Sequence, residues 1–351
     1  MSLAETLKEI RPLDLSIQSA AQERLDYLTK PQGSLGKLEE LACRIAVIQG
    51  RVPPRLGRKV LFVFAADHGI TQEGVSAYPQ EVTAQMTYNL LRGGAAINVL
   101  ARHHGVKTEV VDVGVDHDFT GLAGLRNCKI RRGTANFARG SAMTRDEAER
   151  AVDVGIHLAR ESARENVFLL SAGDMGIGNT SSAAAILCAM TGAAPAGVVG
   201  RGTGIDDATL KRKIAAIERG LELNRPDAND VLDVLAKVGG LEIGAMMGMI
   251  LGAAALRLPM VLDGFISGAA ALLAQGISPH VRDILFASHL SSEEGHRLML
   301  NQLKLTPILD LKLCLGEGTG DCILMGVIEA AVKIIGEMAT FESAGVKEKL
   351  S

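Results

Sequence analysis

The sequence predicts an α/β protein in which a parallel sheet is flanked by helices and a small helical domain is formed from the N- and C-terminal segments. From residue 59 onward, short apolar runs rich in β-branched residues alternate with helical stretches, which is the pattern of βαβ units. Most of these runs are continuously apolar, as expected for parallel strands that are buried on both faces. Both chain ends instead show apolar residues at three- and four-residue intervals, which predicts helices there.

The helical periodicity at the chain ends sets the predicted domain boundaries. At the N-terminal end it covers about residues 3–50, is interrupted by the KPQG stretch at 30–33 and stops at Val52-Pro53-Pro54. The periodicity returns after residue 320. A chain of 351 residues is longer than a single hydrophobic core usually grows, so a second domain is expected. We predict a small helical domain from residues 1–55 and 321–351 and a large α/β domain from residues 56–320.

Six apolar runs are predicted to be the strands of the sheet, at residues 60–66, 108–114, 167–173, 196–200, 259–264 and 283–289. Polar residues or glycines follow the runs, as at Asp67-His68, Gly173-Asp174 and Asp263-Gly264. In open α/β sheets, ligands bind outside the carboxyl ends of the strands. These junctions therefore predict a single site along one edge of the sheet.

Composition and charge exclude several classes of partner. The formal net charge is -3 and only 3% of the residues are aromatic, which argues against nucleic acid. The five cysteines are scattered without a C-x-x-C pair, so neither a disulfide framework nor a zinc site is indicated. The N-terminal segment has no apolar signal core, and the strongest apolar run, residues 243–256, is shorter than the ~20 residues of a membrane span. We predict a cytoplasmic protein in which this run is a buried helix.

Two glycine-rich loops are predicted to bind an anion. Residues 173–182 (GDMGIGNTSS) leave a strand and enter an apolar helix, where unpaired backbone N–H groups suit a phosphate. The alternative is a plain turn capped by Asn179, Thr180 or Ser181. Residues 200–207 (GRGTGIDD), before a helix with Lys211 and Lys213, form a second such loop or an ordinary turn. Neither loop has the spacing of the dinucleotide fingerprint or of the P-loop.

Glu317 is the one carboxylate among the glycines of the segment LGEGTG at 315–320. Cys314 and Leu315 are expected to desolvate it in part and to raise its pKa toward the range of a general base. The alternative is a solvated glutamate in a turn or at a helix start. Asp67-His68 lacks further ligands nearby, so no metal site is predicted.

Gly244, Gly248 and Gly252 fall on one face of the predicted buried helix. A second helix can approach this face closely, either within the chain or across a dimer interface.

Several of these segments together resemble the nicotinate-nucleotide:dimethylbenzimidazole phosphoribosyltransferase family. The resemblance spans roughly residues 25–340 in the order of the family's motifs. It is carried by LTKPQGSLGKLEELA (28–42), ADHGITQEGVSAYPQEVTAQM (66–86), GGAAINVLAR (93–102), GDMGIGNTSSAAA (173–185), GRGTGIDD (200–207), VLDGFISGAAALLA (261–274), SHLSSEEGH (288–296) and LGEGTG (315–320).

The resemblance implies a Rossmann-like domain, a homodimer, and the reaction of the family. In that reaction, nicotinate mononucleotide and 5,6-dimethylbenzimidazole give α-ribazole 5'-phosphate, the lower-ligand nucleotide of cobalamin, and nicotinate. No cofactor is implied. Because the donor carries one phosphate and the sequence has no acidic metal cluster, we expect activity without a divalent metal.

Carried over by motif, Glu317 is the catalytic base. Asp174 and Asp263 are further catalytic candidates: Asp174 stands where some family members have glutamate, and Asp263 is expected to stabilise oxocarbenium character or to orient Lys213. The phosphate and ribose side is assigned to Gly176, Gly178, Asn179, Thr180, Arg201, Gly202, Gly204 and Lys213. The remaining substrate-binding candidates are the base-pocket residues Gln80, Tyr88, Met175 and Leu315, together with Ser291 and Gly316.

Two other functions stay open on the sequence. Glycine loops after the strands of a Rossmann-like sheet also fit an NAD-dependent oxidoreductase, although the fingerprint spacing is absent. A non-catalytic nucleotide-binding regulator is the third possibility.

Overall fold

A computed structural model describes residues 2–202 and 204–347 of the chain. Its centre is a six-stranded sheet in which every neighbouring pair of strands is parallel. In chain order the strands are β1 (Arg58–Ala66), β2 (Val106–Gly114), β3 (Leu125–Asn127), β4 (Val167–Met175), β5 (Met260–Leu262) and β6 (Leu285–Ala287). Their spatial order is β3-β2-β1-β4-β5-β6, so β1 and β4 lie at the middle of the sheet. The predicted α/β fold with a parallel sheet is confirmed.

Helices surround the sheet and account for both ends of the chain. They are α1 (Leu3–Leu7), α2 (Ile17–Asp26), α3 (Lys37–Gln49), α4 (Val82–Leu91), α5 (Ala96–His104), α6 (Arg145–Arg164), α7 (Asn179–Thr191), α8 (Asp207–Asn224), α9 (Val231–Val238), α10 (Leu241–Ala255), α11 (Phe265–Ile277), α12 (Gly295–Leu303), α13 (Thr319–Glu337) and α14 (Phe341–Ala344). Short 3₁₀ helices cover Gly69–Glu73, Pro195–Gly197 and Pro279–Ile284. In the described part of the chain, none of the helices combines the length and apolar character needed to cross a membrane.

The strand predictions differ from the structure in three respects. The run at 196–200 is not a strand: Pro195 starts a 3₁₀ turn there, because proline has a fixed φ and no N–H to give to a sheet. Strand β3 was not predicted, because its three residues contain a single apolar side chain and are partly exposed at the sheet edge. Strands β5 and β6 are each only three residues long, shorter than the apolar runs that contain them.

The predicted buried helix is α10, and it packs closely on α6. A Cβ on Gly248 would lie 1.8 Å from the carbonyl oxygen of Val152, and one on Gly155 would lie 1.8 Å from the carbonyl oxygen of Ala245. Gly244 and Gly252 of α10 face Ala151 and Ala159 of α6. The glycine face is therefore filled within the chain, which removes one of the two arguments for a homodimer.

The two chain ends lie together beside the sheet. Leu28 and Thr340 form a β-bridge, and the N–H of Thr29 donates to the carbonyl of Ala339 at 3.0 Å. Helix α13 packs against α3 on one side and α5 on another. The buried apolar residues of these helices and of the sheet form one continuous core. The division at residues 55 and 320 into two domains remains a prediction.

Candidate active site

The carboxyl ends of β1, β5 and β6 and the start of α13 lie at the same edge of the sheet. Asp67 and His68 follow β1, Asp263 follows β5, and Ser288 follows β6. All four side chains are buried. The predicted clustering of polar groups at this edge of the sheet is what the structure shows.

Glu317 lies at the start of α13 with its side chain buried. Its φ of +62° falls in the left-handed region, between Gly316 and Gly318 at +85° and +84°. The backbone of Glu317 lies on β4, where a Cβ on Gly173 would come within 2.4 Å of the Glu317 carbonyl carbon. Glycine is thus needed at position 173 for this approach, and a short run of left-handed residues turns the chain into α13.

The environment of Glu317 fits that of a base. Burial raises the pKa of its carboxyl, and the N–H of Ile97 in α5 acts in the opposite direction. One carboxylate oxygen, Oε2, is buried without a hydrogen-bond partner among the described residues. The expectation that Cys314 and Leu315 cover it is wrong, because both are exposed, Leu315 by 58%. Gly173 of β4 lies against the Glu317 backbone, and the N–H of Ile97 in α5 lies at its carboxyl group.

Asp263 caps the N-terminus of α13. Its Oδ2 accepts a hydrogen bond from the N–H of Gly318 at 3.0 Å, and its Oδ1 accepts one from Gly320 at 2.9 Å. The carboxylate therefore holds two of the residues that follow Glu317. The expectation that Asp263 orients Lys213 is wrong, since Lys213 bonds elsewhere in the described part of the chain.

Further carboxyl groups are buried around Asp263. Burial, reinforced by the charge of Asp263, raises the pKa of Asp174 to about 8, while the hydrogen bond from Asn179 Nδ2 at 2.8 Å opposes this. Asp321, in the first turn of α13, accepts a hydrogen bond from Ser171. Burial and the neighbouring Asp263 raise the pKa of Asp321 as well. Burial is the main cause of the raised pKa of both Asp174 and Asp321, and the neighbouring carboxylates add to it.

The loop before α7 leaves the helix start without a side-chain cap. Gly178 is the N-cap residue, with φ +94°, and no side chain accepts from the first-turn N–H groups. Asn179 instead donates to Asp174, and Thr180 accepts from Lys213. The side-chain cap considered as the alternative for this loop is therefore wrong in the described structure. The N–H groups of Asn179 and Ser181 donate instead to the carbonyls of Gly176 and Gly178, at 3.1 and 3.0 Å.

Lys213 of α8 reaches the same helix start. Its Nζ donates to Thr180 Oγ1 at 2.8 Å and to the carbonyl of Gly200 at 3.2 Å. Burial lowers the pKa of Lys213 to about 8, which the charge of Glu293 partly offsets. Glu293 Oε1 in turn accepts from the N–H of Gly202 at 2.9 Å. A buried cation thus lies beside both glycine loops.

The other residues of the second loop are less closely tied to the site. Arg201 bonds to Asp207 and to the carbonyl of Ile205 within its own loop, and its side chain is half exposed. Gly204 has a φ of +89°. Thr203, which belongs to the predicted GRGTGIDD loop, lies outside the described residues.

The base-pocket candidates fall on separate elements. Gln80 accepts from Thr71 Oγ1 at 3.2 Å, and the Tyr88 hydroxyl lies 3.1 Å from His117 Nε2 with its ring edge-on to Phe119. Met175 ends β4 and is buried. In the described part of the chain, no hydrogen bond joins Gln80 or Tyr88 to Glu317. Ser291 is buried, and its N–H donates to His296 Nδ1 at 2.9 Å.

Several groups at the site were not among the predicted site residues. His68, Glu242 and Asp321 are buried, and Glu293 is half-buried. Glu242 carried a signal in the sequence, since an acid that opens an otherwise apolar helix needs a buried partner. Among residues 2–202 and 204–347, no group of three or more His, Cys, Asp or Glu side chains is arranged to hold a metal ion.

The chain is similar in sequence and in structure to known phosphoribosyltransferases. A family profile described as "Phosphoribosyltransferase" matches residues 10–346. The chain is 59% identical to the nicotinate-nucleotide–dimethylbenzimidazole phosphoribosyltransferase of Geobacter sulfurreducens, covering 99% of this chain and 98% of that protein. It is 56% identical to the protein of the same name from Desulforamulus reducens, over 99% of each chain. The crystal structure of CobT from Thermus thermophilus matches 95% of this chain and 100% of its own, with a TM-score of 0.90 and 50% identity.

Proposed function

The chain belongs to the nicotinate-nucleotide–dimethylbenzimidazole phosphoribosyltransferase family, and from this membership we propose its reaction. The enzyme transfers the phosphoribosyl group of nicotinate mononucleotide to 5,6-dimethylbenzimidazole. The products are α-ribazole 5'-phosphate and nicotinate, in the assembly of the nucleotide loop of cobalamin. The observation that supports this most directly is the buried carboxylate of Glu317 at the edge of the sheet that also carries Lys213 and the Gly176 loop.

Glu317 is proposed as the base. When one benzimidazole nitrogen attacks C1' of the ribose, positive charge develops on the ring and the proton on the other nitrogen becomes acidic. A desolvated carboxylate accepts that proton readily, and Glu317 Oε2 is buried and without a partner in the described structure. The leaving group is a pyridinium whose departure neutralises its own nitrogen, so the base is needed on the side of the nucleophile. Attack from the face opposite nicotinate inverts C1' and gives the α-linkage.

The phosphate is proposed to bind between α7 and Lys213. The start of α7 has no side-chain cap in the described structure and presents the positive end of the helix dipole to this side. Lys213 adds a buried positive charge at Thr180, two residues into that helix. Gly176, Gly178, Asn179, Arg201, Gly202 and Gly204 are the loop residues assigned to this side, and Ser291 is a further substrate-binding candidate.

Asp263 and Asp174 support the base in different ways. Asp263 fixes the backbone after Glu317 and is proposed as a positioning residue. Asp174, with a pKa raised to about 8 by burial, is proposed to be protonated at neutral pH and to add no second negative charge beside Glu317. The acceptor base is proposed to lie against Gln80, Tyr88, Met175 and Leu315, and Gly316 is a further substrate-binding candidate.

A homodimer, a cytoplasmic location and catalysis without a metal or cofactor complete the proposal. Sedimentation at micromolar concentration tests the dimer, and a monomer alone would contradict it. Full loss of activity in EDTA that magnesium restores would contradict the metal-free reaction.

The deciding experiment is a product assay with nicotinate mononucleotide and a panel of aromatic bases. Release of nicotinate that depends on an added benzimidazole, together with formation of the α-nucleotide, supports the proposal. No release with any base would favour the non-catalytic regulator, and binding of NAD with hydride transfer would favour the oxidoreductase. The comparisons support neither of these two alternatives.

A further inference from the structure

His68 and Glu242 form a fully buried pair beneath the Gly176 loop. His68 Nε2 lies 2.7 Å from Glu242 Oε1, and neither side chain has any exposed surface. His68 Nδ1 lies 3.1 Å from the hydroxyl oxygen of Ser182, near the start of α7. The imidazole thus joins the end of β1, the start of α10 and the helix that is proposed to bind phosphate.

Gly240 leaves room for this imidazole, and Gly176 and Gly178 lie next to His68. A Cβ on Gly176 would lie 3.4 Å from His68 Cδ2 and Nε2, and one on Gly178 would lie 3.3 Å from His68 Cβ. On the opposite side, a Cβ on Gly240 would lie 2.4 Å from His68 Cε1. The backbone of the Gly176 loop therefore follows the surface of the ring, and a shift of the ring would move the loop.

The His68–Glu242 pair is not expected to contribute much to the stability of the folded protein. Burying a carboxylate has a large desolvation penalty, and a buried ion pair often contributes no more than apolar residues of similar size. Glu242 also keeps one oxygen, Oε2, buried without a partner in the described structure. The pair does fix the orientation of the imidazole ring, because each of the two ring nitrogens has a hydrogen-bond partner.

We propose that His68 and Glu242 are positioning residues for mononucleotide binding. Glu242 fixes the imidazole, and the imidazole fixes Ser182 and the loop backbone whose N–H groups receive the phosphate. Neither residue is placed in contact with substrate. The inference rests on the proposed function, since it takes the Gly176 loop to be the phosphate site.

A double-mutant cycle on Glu242 and Ser182 tests this coupling. The two side chains are joined through His68, with no hydrogen bond between them in the described structure, so an effect that passes through the ring makes the two changes non-additive. We expect Glu242→Gln and Ser182→Ala each to raise KM for nicotinate mononucleotide by about ten-fold, the scale of one hydrogen bond. kcat and KM for dimethylbenzimidazole should stay within about two-fold, because the base side is held by other loops. The double variant should be no worse than the more impaired single variant.

The Lys30–Glu39 pair provides a matched control. Like His68 and Glu242, Lys30 and Glu39 form a buried pair of a basic and an acidic side chain, with Lys30 Nζ 2.9 Å from Glu39 Oε1, but this pair lies at the N-terminal helices. Glu39→Gln should lower the melting temperature as Glu242→Gln does and leave both KM values unchanged. If Glu242→Gln lowers the melting temperature alone, or if the two site changes simply add, the positioning role is overturned. If Glu242→Gln does not fold, an unchanged mononucleotide KM in Ser182→Ala overturns it equally.

Binding of inorganic phosphate separates this inference from the proposed reaction. If the wild-type enzyme releases no nicotinate, the reaction is wrong, and calorimetric titration with phosphate still reports on the loop. Weaker phosphate binding by Glu242→Gln and Ser182→Ala, with Glu39→Gln unchanged, supports positioning. Equal binding by all four proteins contradicts it.

Discussion

The backbone of Glu317 rests directly on Gly173. A Cβ at position 173 would lie 2.4 Å from both the carbonyl carbon and the carbonyl oxygen of Glu317. Gly173 belongs to β4, which pairs with β1 through Val63 at this residue. The height of the proposed base above the sheet is therefore set by the strand at the middle of the fold, and a single methyl group is enough to disturb it.

Gly173→Ala should reduce kcat strongly while the protein still folds. The added methyl must push the Glu317 backbone away from β4, and a displacement of about 1 Å at a reacting group can cost about 10²-fold in rate. Gly140→Ala is the control, since a Cβ at that position meets nothing within 4 Å. Steady-state kinetics on both variants check this, and a Gly173→Ala enzyme with near-normal kcat would show that the contact does not position the base.

The sheet was predictable because its strands are buried on both faces and read as continuous apolar runs. The prediction failed at Val198-Val199, where two apolar residues follow Pro195 and form part of a turn. It also failed at β3, which carries little apolar surface at the sheet edge. Local patterns report burial, and they do not report which backbone groups find a partner in the sheet.

The site was predictable only where its residues lie in recognisable loops. Glu317 and Lys213 fall in or beside glycine-rich segments, whereas the roles of Glu242 and Asp321 depend on partners 174 and 150 residues away in the chain. Asp263 was singled out for its place at a strand end, but its bonds to Gly318 and Gly320 could not be read from its neighbours. Contacts of this length are set by topology, which a local reading does not contain.

Asp263→Asn should destabilise the enzyme and lower kcat with little change in KM for the mononucleotide. Both carboxylate oxygens accept backbone N–H groups, and an asparagine would turn its NH₂ toward one of those donors. An unsatisfied buried donor costs about 1–3 kcal/mol, and the residues after Glu317 would lose one anchor. Thermal melts and kinetics beside Asp310→Asn, an exposed carboxylate change, check this. Loss of stability at full kcat would leave Asp263 a structural cap only.

Asp174→Asn should become more stable relative to the wild type as pH rises. The pKa of Asp174 in the folded protein, about 8, lies above its ordinary value of 3.8, so the folded state binds more protons than the unfolded state between these values. The stabilising contribution of this group is complete below its ordinary pKa of 3.8 and is lost as pH rises through about 8. An asparagine at position 174 does not titrate, so the variant does not lose stability in this way as pH rises. Melting temperatures at acidic, neutral and alkaline pH test this, and parallel curves for the two proteins would contradict it.

Lys213→Met should weaken the binding of nicotinate mononucleotide. It should also abolish the alkaline limb, which is the fall of kcat/KM at high pH. Burial lowers the pKa of Lys213 to about 8, so in the free enzyme its positive charge is lost as pH rises through that value. The wild-type kcat/KM for nicotinate mononucleotide should therefore fall above about pH 8. Lys211→Met, an exposed change two residues earlier in α8, is the control and should keep both the affinity and the limb. A limb that persists in Lys213→Met would assign it to another group.

Glu317→Gln should lower kcat by ~10²–10⁴, the range by which a general base contributes. Glutamine keeps the shape of the side chain and can still hydrogen-bond, but it cannot take the proton from the benzimidazole as C1' is attacked. The mononucleotide KM should hardly change, because Lys213 and the start of α7 lie on other elements. Burial raises the pKa of Glu317, so the residue must lose its proton before it can act, and wild-type kcat should fall as pH drops through that raised pKa.

Melting temperatures of the same variant separate catalysis from structure. A glutamate that served only the turn before α13 would, when changed, cost ~0.5–2 kcal/mol of stability and leave turnover per folded enzyme nearly intact. If Glu317 is the base, Glu317→Gln should show the reverse: a nearly unchanged melting temperature and a large loss of kcat. The activity that remains should no longer fall as pH drops. Near-normal kcat in Glu317→Gln would remove this residue from the mechanism, and the buried acids around Asp174 would then be the next place to seek the base.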